Sequence, residues 1–439
     1  MQLKKPRIVS SLAVATCSLL NVNPAPSIAQ EAPRKWDLDA ALLYYGEQER
    51  VQDLSTKLLF RRAFDRDRTL SATFGYDTLT GASANGALPA GAPQTFTAPS
   101  GSARYTTPAR RTPLDPTFKD SRVALSADWA QPLGTRSRLG TGLSYSSEFD
   151  YLHTGANAEI SRDFNERNTT LSMGMAFARD TVSPVGGVPD PFVRMRPART
   201  EDEDGGEDGG EDEDEGEDGG GGSGDKTVTD LLFGITQAFG PRTIGQLSYS
   251  ISRSTGYLTD PYKVLSVIDP VTGDPAPGPG RLNLFLYESR PDSRTKQGLF
   301  GLIKRHLGRD VVDLSYRYMF DDWGVRSHTA DLHYRWQFGN SYLQPHLRYY
   351  TQSAADFHMS ALLGGDPLPD HASADYRLGE LDATTIGVKY AVPRESGREW
   401  GIRIEYYNQS GKSPPGGAAE DFGLDPSVDA LIVQLGYSF

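Results

Sequence analysis

The sequence predicts an all-β fold, a transmembrane antiparallel up-and-down β-barrel of about sixteen strands. Three observations carry that expectation: the alternation of the last residues, an export-type N-terminus, and a rhythm of tight and long connections between them. Leu431 to Phe439 read LIVQLGYSF, with Leu431, Val433, Leu435, Tyr437 and Phe439 on one face and Ile432, Gln434, Gly436 and Ser438 on the other. Period-2 alternation sets one strand face against lipid and the other toward a lumen. A terminal aromatic is similar to the signal that the barrel-assembly machinery of Gram-negative bacteria reads, which makes that machinery an expected partner.

At the other end, Lys4, Lys5 and Arg7 form a charged n-region, Ile8 to Val22 is mostly apolar, and Ser27-Ile28-Ala29 precedes Gln30. This is the pattern of an export signal cut after a small residue, so residues 1–29 are expected to be removed. Two other readings stay open: a retained helical anchor, or a lipidated Cys17 preceded by Val14-Ala15-Thr16. Thr16 stands where a smaller residue is wanted. Cleavage after Ala29 removes the only cysteine, leaving residues 30–439 without a disulfide, a thiol nucleophile or a cysteine-based metal site.

Composition separates the membrane classes. After the N-terminal segment there is no run of about 18 apolar residues of the kind a membrane helix needs, and the mean hydropathy is -0.48. A barrel hides its membrane signal by alternation, so its average stays polar. The 46 Gly, 21 Tyr and 18 Phe suit barrel strands, although a secreted β-sandwich also alternates.

The net charge of -12 is concentrated in one place. Glu201 to Asp218 read EDEDGGEDGGEDEDEGED, thirteen acids and no base, so the rest of the chain is close to neutral. Such a run cannot bury a core, and an acidic Gly-rich outer-loop insert is expected at about 197–226. It reads either as a solvated loop or as loose, multi-site capture of divalent cations by Glu201, Asp202, Glu203, Asp204, Glu211, Asp212, Glu213 and Asp214. The Asp/Glu-Gly-Gly spacing lacks the ligand pattern of a defined calcium loop, so that capture would be weak. No cofactor is implied, and the acidic bulk charge gives no support to nucleic-acid binding.

Along the chain, tight connections fall at Asp65 to Arg68, Gly134 to Ser137, Asn165 to Asn168, Gly240 to Arg242, Gly308 to Asp310, Gly339-Asn340 and Pro393 to Arg398. All have turn chemistry. Long ones run at Thr80 to Asp120, Ser183 to Asp225, Asp260 to Pro291, Ala355 to Ala374 and Ser410 to Ser427, with shorter members near Gly46, Asp150 and Asp321. Short on one side and long on the other is the asymmetry of periplasmic turns and outer loops, and an even strand count returns both termini to the periplasmic side.

The clearest strands assign their faces. Val312, Leu314, Tyr316, Tyr318 and Phe320 are expected toward lipid and Asp313, Ser315 and Arg317 toward the lumen; Leu332, Tyr334, Trp336 and Phe338 likewise oppose Asp331, His333, Arg335 and Gln337. Phe64, Trp129, Phe164, Phe239, Trp336, Phe338, Trp400 and Phe439 collect near the turns as an interfacial girdle.

Inward charges gather toward the C-terminal half. Arg317, His333 or Arg335, His346 or Arg348, and Arg403 fall near mid-height by distance from each turn, with Asp313, Asp331, Lys389 and Glu405 beside them. They read either as cross-strand pairs filling a polar interior or as an eyelet whose arginines favour anions. At the outer rim, Asp77, Asp260, Asp321, Asp322, Asp356 and Asp375 sit where strands meet outer loops, with His328 nearby. Converging carboxylates could hold a hard cation or cap turns.

Enzyme motifs are absent: there is no GxSxG elbow, no HExxH and no phosphate loop. The seven His are dispersed and show no close metal-ligand pair. Ser327-His328 beside Asp321 and Asp322 is the one rim-hydrolase candidate the sequence offers.

FGYDTLTGASANGA from Phe74, YLTDPYK from Tyr257, YRYMFDDWGVRSHTADLHYR from Tyr316, LRYYTQSAADF from Leu347 and ADYRLGELDATTIGVKY from Ala374 carry a resemblance spread over nearly the whole chain. The chain resembles a family of Gram-negative outer-membrane β-barrel proteins catalogued only as a domain of unknown function. The acidic insert departs from that family's pattern. The resemblance implies one barrel domain in the cell outer membrane, in contact with its lipid and lipopolysaccharide, and no catalytic residues to carry over. Function is therefore expected to be a conduit for small hydrophilic solutes or, alternatively, a surface assembly or receptor barrel with a blocked lumen; a rim enzyme is the remote third.

Overall fold

Residues 36–48, 50–97, 104–195, 222–276, 284–394, 398–412 and 427–438 are described by the computed structural model. The expected export signal at 1–29, the acidic run at 201–218 and Phe439 lie outside them.

The first part of the chain forms β1 (Trp36–Glu47), β2 (Gln52–Phe64), β3 (Arg68–Ala84), β4 (Gln94–Thr97), β5 (Arg104–Thr107), β6 (Leu114–Leu133), β7 (Ser137–Ser147), β8 (Tyr151–Phe164), β9 (Thr169–Val182), β10 (Gly224–Gly240) and β11 (Thr243–Gly256). There follow β12 (Val264–Ile268), β13 (Phe285–Tyr287), β14 (Ser293–Leu307), β15 (Asp310–Asp321), β16 (Arg326–Phe338), β17 (Ser341–Gln352), β18 (Ala361–Leu363), β19 (Leu381–Pro393), β20 (Glu399–Gly411) and β21 (Val428–Ser438).

Sixteen of these close into one barrel in the order β1-β2-β3-β6-β7-β8-β9-β10-β11-β14-β15-β16-β17-β19-β20-β21, each antiparallel to the next. Closure is made where β21 pairs with β1, from Asp39↔Ser438 to Glu47↔Ala430. It satisfies the N–H and C=O groups that an edge strand would expose to lipid, where each unpaired group costs several kcal/mol. The strand count and the order of tight turns and long loops agree with the sequence expectation.

Faces follow the alternation. Leu314, Tyr316, Leu332, Trp336, Ile404, Tyr406, Leu431 and Leu435 are exposed on the outside, and so are Leu171, Met173, Met175 and Phe177, while Asp331, His346, Ser248 and Glu405 are buried inside. Near the turns the girdle residues touch one another: Phe64 and Trp129 lie with ring centroids 5.5 Å apart, Trp336 and Phe338 5.7 Å, and Tyr390 and Trp400 5.6 Å. Arg62 and Arg162 lay guanidinium groups over Phe64 and Phe164. Such side chains place an apolar body in lipid and a charged head in the interfacial water.

The sequence reading left the outer loops without internal structure, and here the fold differs. β4 and β5 form a hairpin in the β3–β6 connection, and β12, β13 and β18 form a small sheet from two other loops. β3 and β6 also extend further than expected, to Ala84 and from Leu114, past a register shift between Gly81 and Ser83. Crossing takes about 9–11 residues, so the outer parts of these two strands stand beyond the membrane as a ribbon that carries the hairpin.

These loops pack on one another. One cluster joins Ala87, Phe96 and Tyr105 of the β3–β6 connection to Val264 and Phe285 of the β11–β14 connection. A second joins Trp323 and Val325 to Ala355, Phe357 and Leu378, and a third joins Leu265 and Val267 to Leu362 and Ala372. Six strands of the circuit stand between the β3–β6 and β11–β14 connections. Loops so far apart on the circumference meet only by reaching across the mouth, so the outer opening carries a cap with its own apolar core.

Candidate functional site

The lumenal wall is built by register. Asp313, His333, His346, Gly387 and Glu405 are successive partners across β15, β16, β17, β19 and β20. His333 and His346 each lie six residues from the Gly339-Asn340 turn, so the hairpin brings them opposite one another. Their rings stack with centroids 4.1 Å apart and planes 19° from parallel. Each turns its Nε2 toward the same carboxylate, His333 to Asp331 Oδ1 at 2.9 Å and His346 to Asp331 Oδ2 at 3.3 Å. The other nitrogen of His346, Nδ1, meets Glu405 Oε1 at 2.8 Å.

Glu405 is two strands from His346, about 9–10 Å at the usual strand spacing. It spans the gap because Gly387 between them has no side chain: a Cβ there would lie 2.9 Å from the Cβ of Glu405 and collide with its Cγ. Arg348 donates from Nε to Asp331 Oδ2 at 2.5 Å, and Arg403 Nε lies 3.8 Å from Glu405 Oε1. The cluster is therefore two carboxylates, two arginines and two imidazoles, close to neutral with the imidazoles uncharged.

The other eyelet candidates are placed elsewhere. Arg335 lies two residues nearer the turn, over the Tyr342 ring at 3.6 Å and 3.8 Å from Glu399, a carboxylate it shares with Lys389 at 2.7 Å. Asp313 pairs with Lys304 at 2.6 Å instead of joining the wall cluster. Arg317 has no ion-pair or hydrogen-bond partner among the described residues and lies over the Phe300 ring, 5.6 Å from its centroid. The expected single ring of charge is thus divided: the wall cluster and the Asp313–Lys304 pair share a register level, the Arg335 group lies nearer the turn, and Arg317 lies nearer the outer mouth.

The rim acids also divide. Asp77 pairs with Arg122 at 2.6 Å. Asp321 pairs with Arg294 at 2.5 Å and accepts from the backbone N–H groups of Trp323 and Val325, while Asp322 accepts from the Thr295 N–H at 2.8 Å. These are ion-paired and turn-capping roles, and they spread the acids around the rim without a common ligand cage.

Asp260 and Asp375 do come together, inside the cap. Asp375 is fully buried and meets Arg290 at 2.9 Å and Arg377 at 2.5 Å; Arg377 reaches Asp260 at 2.7 Å, and Arg290 reaches Glu288 at 2.6 Å. Lys263 donates to the Ala84 carbonyl of the β3–β6 connection. Burial pushes the Asp375 carboxyl up, but Arg377, Lys263 and Arg290 outweigh it and hold it below the usual carboxylate range. Burial wins at Glu288, whose carboxyl is raised, and at Lys263, whose ammonium is lowered.

The rim-hydrolase arrangement is not assembled. Ser327 is buried on the inner face, whereas His328 is exposed and shares a hydrogen bond of 2.6 Å with the Tyr316 hydroxyl. Strand alternation sends neighbours to opposite faces, which separates this pair. A different Ser-His-Asp line, which the sequence reading missed, lies in the lumen: Ser144 Oγ is 3.0 Å from His153 Nε2, and His153 Nδ1 is 2.7 Å from Asp180 Oδ1. Lys226 pairs with Asp180 at 2.9 Å. Acyl transfer also needs free N–H donors aimed at an oxyanion. The backbone around Ser144 lies in the β6–β7–β8 ladder, which spends those donors.

The expectation of no close histidine ligand pair is corrected by the hairpin, since Asp331, His333 and His346 offer ligand atoms all within 4.8 Å of one another. The signal available in the sequence was the equal spacing of the two histidines about Gly339-Asn340.

A closed circuit of antiparallel strands with an apolar exterior, a polar interior and aromatic girdles defines a transmembrane up-and-down β-barrel. The chain belongs to the family described as protein of unknown function, DUF3570, whose model matches residues 9–439. No curated protein matches the sequence. Among solved structures it is similar to a bacterial polysaccharide outer membrane secretin, at 9% identity and a TM-score of 0.43, covering 92% of this chain and 98% of that one. It is similar also to OccK5 (OpdH) of Pseudomonas aeruginosa, at 9% identity and a TM-score of 0.35, covering 92% and 97%. The siderophore receptor PirA from Acinetobacter baumannii matches at 8% identity and a TM-score of 0.42, covering 91% of this chain and 58% of that one. None of these likenesses brings an activity with it.

Proposed function

We propose that this protein is a capped conduit for small hydrophilic solutes in the outer membrane, reached through the barrel-assembly machinery and surrounded by lipid and lipopolysaccharide. The observation that carries the reading is Arg317, which has no ion-pair or hydrogen-bond partner among the described residues and stands on a polar wall of sixteen strands. A circumference of this size encloses a water-filled lumen unless loops fill it. A lumenal guanidinium with no protein counter-charge is available to a passing anion. The described turn-side connections are all tight, so what regulates passage lies at the outer mouth.

A second reading is a surface receptor or assembly barrel with a closed lumen. The apolar clusters of the cap support it, because they hold the outer loops as a fixed surface.

Single-channel conductance of the refolded barrel in a planar bilayer under a salt gradient separates the two. The conduit reading expects stepwise openings with an anion preference that shrinks in Arg317→Ala. A folded, heat-modifiable barrel that stays silent at all voltages would sink it and leave the receptor reading. Enzymatic activity is not part of either proposal.

A further inference from the structure

We propose that the lumenal wall carries a binding site for a late first-row divalent transition-metal ion, held by His333 Nε2, His346 Nε2 and Asp331, with Glu405 as the positioning residue for His346. The site stands independently of whether the barrel conducts.

The argument begins with proton count. Both nitrogens of His346 face carboxylate oxygens, Nδ1 to Glu405 at 2.8 Å and Nε2 to Asp331 at 3.3 Å. A neutral imidazole has one N–H, so one of these contacts sets a lone pair against an oxygen unless the ring is charged or a cation sits at that nitrogen. The stacked rings, with centroids 4.1 Å apart, set a second Nε2, that of His333, beside the same carboxylate. One divalent ion between the two Nε2 atoms and Asp331 resolves every contact at once. The Glu405 bond to Nδ1 is then the outer-shell carboxylate that commonly fixes the tautomer and orientation of a metal-bound histidine.

The donor set fits such an ion. Ligand atoms of Asp331, His333 and His346 lie within 4.8 Å of one another, so small side-chain adjustments bring them to the roughly 2.0–2.2 Å that zinc requires. Arg348 occupies Asp331 Oδ2 and leaves Oδ1, the oxygen facing His333, as the ligand. With Arg348 and Arg403 offsetting the two carboxylates, charge contributes little to affinity and nitrogen donors dominate. That balance selects zinc, copper or nickel over calcium and magnesium. It also sets the site apart from any loose capture by the acidic run at 201–218.

The test is calorimetric titration of Zn²⁺ into the chain refolded in detergent micelles, with excess Ca²⁺ present to occupy hard-cation sites. Wild type is expected to take up one calcium-insensitive Zn²⁺ per chain. His333→Ala and His346→Ala are each expected to weaken binding at least tenfold, Glu405→Gln about 10–100-fold, and His328→Ala not at all. Heat-modifiable gel mobility shows which variants are folded, and Cu²⁺ spin resonance on wild type supplies a second reading, with two nitrogen couplings expected. Absence of calcium-insensitive Zn²⁺ binding in wild type would overturn the proposal, and so would equal affinity in folded His333→Ala or His346→Ala.

Discussion

Gly387 and Glu405 are register partners on β19 and β20, and the side chain that one lacks leaves the space the other fills. The pair explains how a carboxylate on β20 touches an imidazole on β17 across an intervening strand. Gly387→Ala should push Glu405 away from His346 and cost about 1–3 kcal/mol, the usual range for overpacking. Urea unfolding in micelles measures this. The double variant Gly387→Ala/Glu405→Ala should recover part of the loss, because the closest collision, with the Glu405 Cγ, is removed while the contacts with the Cβ at 405 and the Ile404 carbonyl remain; additive losses would show that the Glu405 side chain beyond Cβ is not what Gly387 accommodates.

Asp375 ties two loops together through Arg290 and Arg377. Asp375→Asn removes the buried carboxylate that the two guanidiniums share and leaves Arg290 to Glu288 and Arg377 to Asp260, so the cost is expected below the about 3–5 kcal/mol of a fully broken buried pair. The loss should fall on the cap and spare the membrane wall. Limited proteolysis is expected to cut the outer loops faster while heat modifiability stays normal. Since the folded carboxyl is held below its ordinary value, its contribution is present above that value and is lost only as pH falls through the depressed one. The cap should therefore survive mild acid, and opening already at pH 5 would contradict this.

Glu148, at the β7–β8 rim, should make that rim sensitive in the opposite sense. Burial, then Asp120, pushes its carboxyl up to about 7 against the pull of Arg122. The folded state holds a proton that the unfolded chain releases, so stability declines as pH rises from about 4.5 to 7. Protection from hydrogen exchange across β7–β8, taken relative to the intrinsic base-catalysed rate of each amide, should fall over that window and become flat in Glu148→Gln. An unchanged profile in the variant would assign the effect elsewhere.

Ser144, His153 and Asp180 reproduce the hydrogen-bond order of a hydrolase triad. With the neighbouring N–H groups spent in the ladder, Ser144 is expected to stay unlabelled by a fluorophosphonate probe in the folded barrel. Labelling that disappears in Ser144→Ala would instead make this barrel a hydrolase.

How much of this was legible in sequence follows from the length scale of each signal. Alternation along one strand and turn chemistry are local, so the wall, its faces and its tight turns could be read from Leu332, Trp336 and Gly339 alone. β12 could not be read that way: Val264, Leu265, Ser266 and Val267 are all buried, so no period of two marks it. The rim acids were visible as a set, but their partners arrive from loops up to 117 positions away, as with Asp260 and Arg377. The His333–His346 contact lay between these cases, fixed by one hairpin yet hidden by the thirteen positions that separate the two residues.

The cap's reach across the mouth also constrains the order in which the molecule can be built. Lys263 meets Ala84 and Ser266 meets Leu88, partners 179 and 178 positions apart. Contacts at such separation form late, because closing the intervening chain costs entropy before the contact returns anything. The wall between them is β6 to β11, and every one of those strands must be in register before the two loops stand at the right distance. Assembly therefore proceeds from membrane to surface: the cylinder is completed first, and the roof is laid from outside afterwards. A time-resolved proteolysis series should find protected strands beneath loops that are still cleavable.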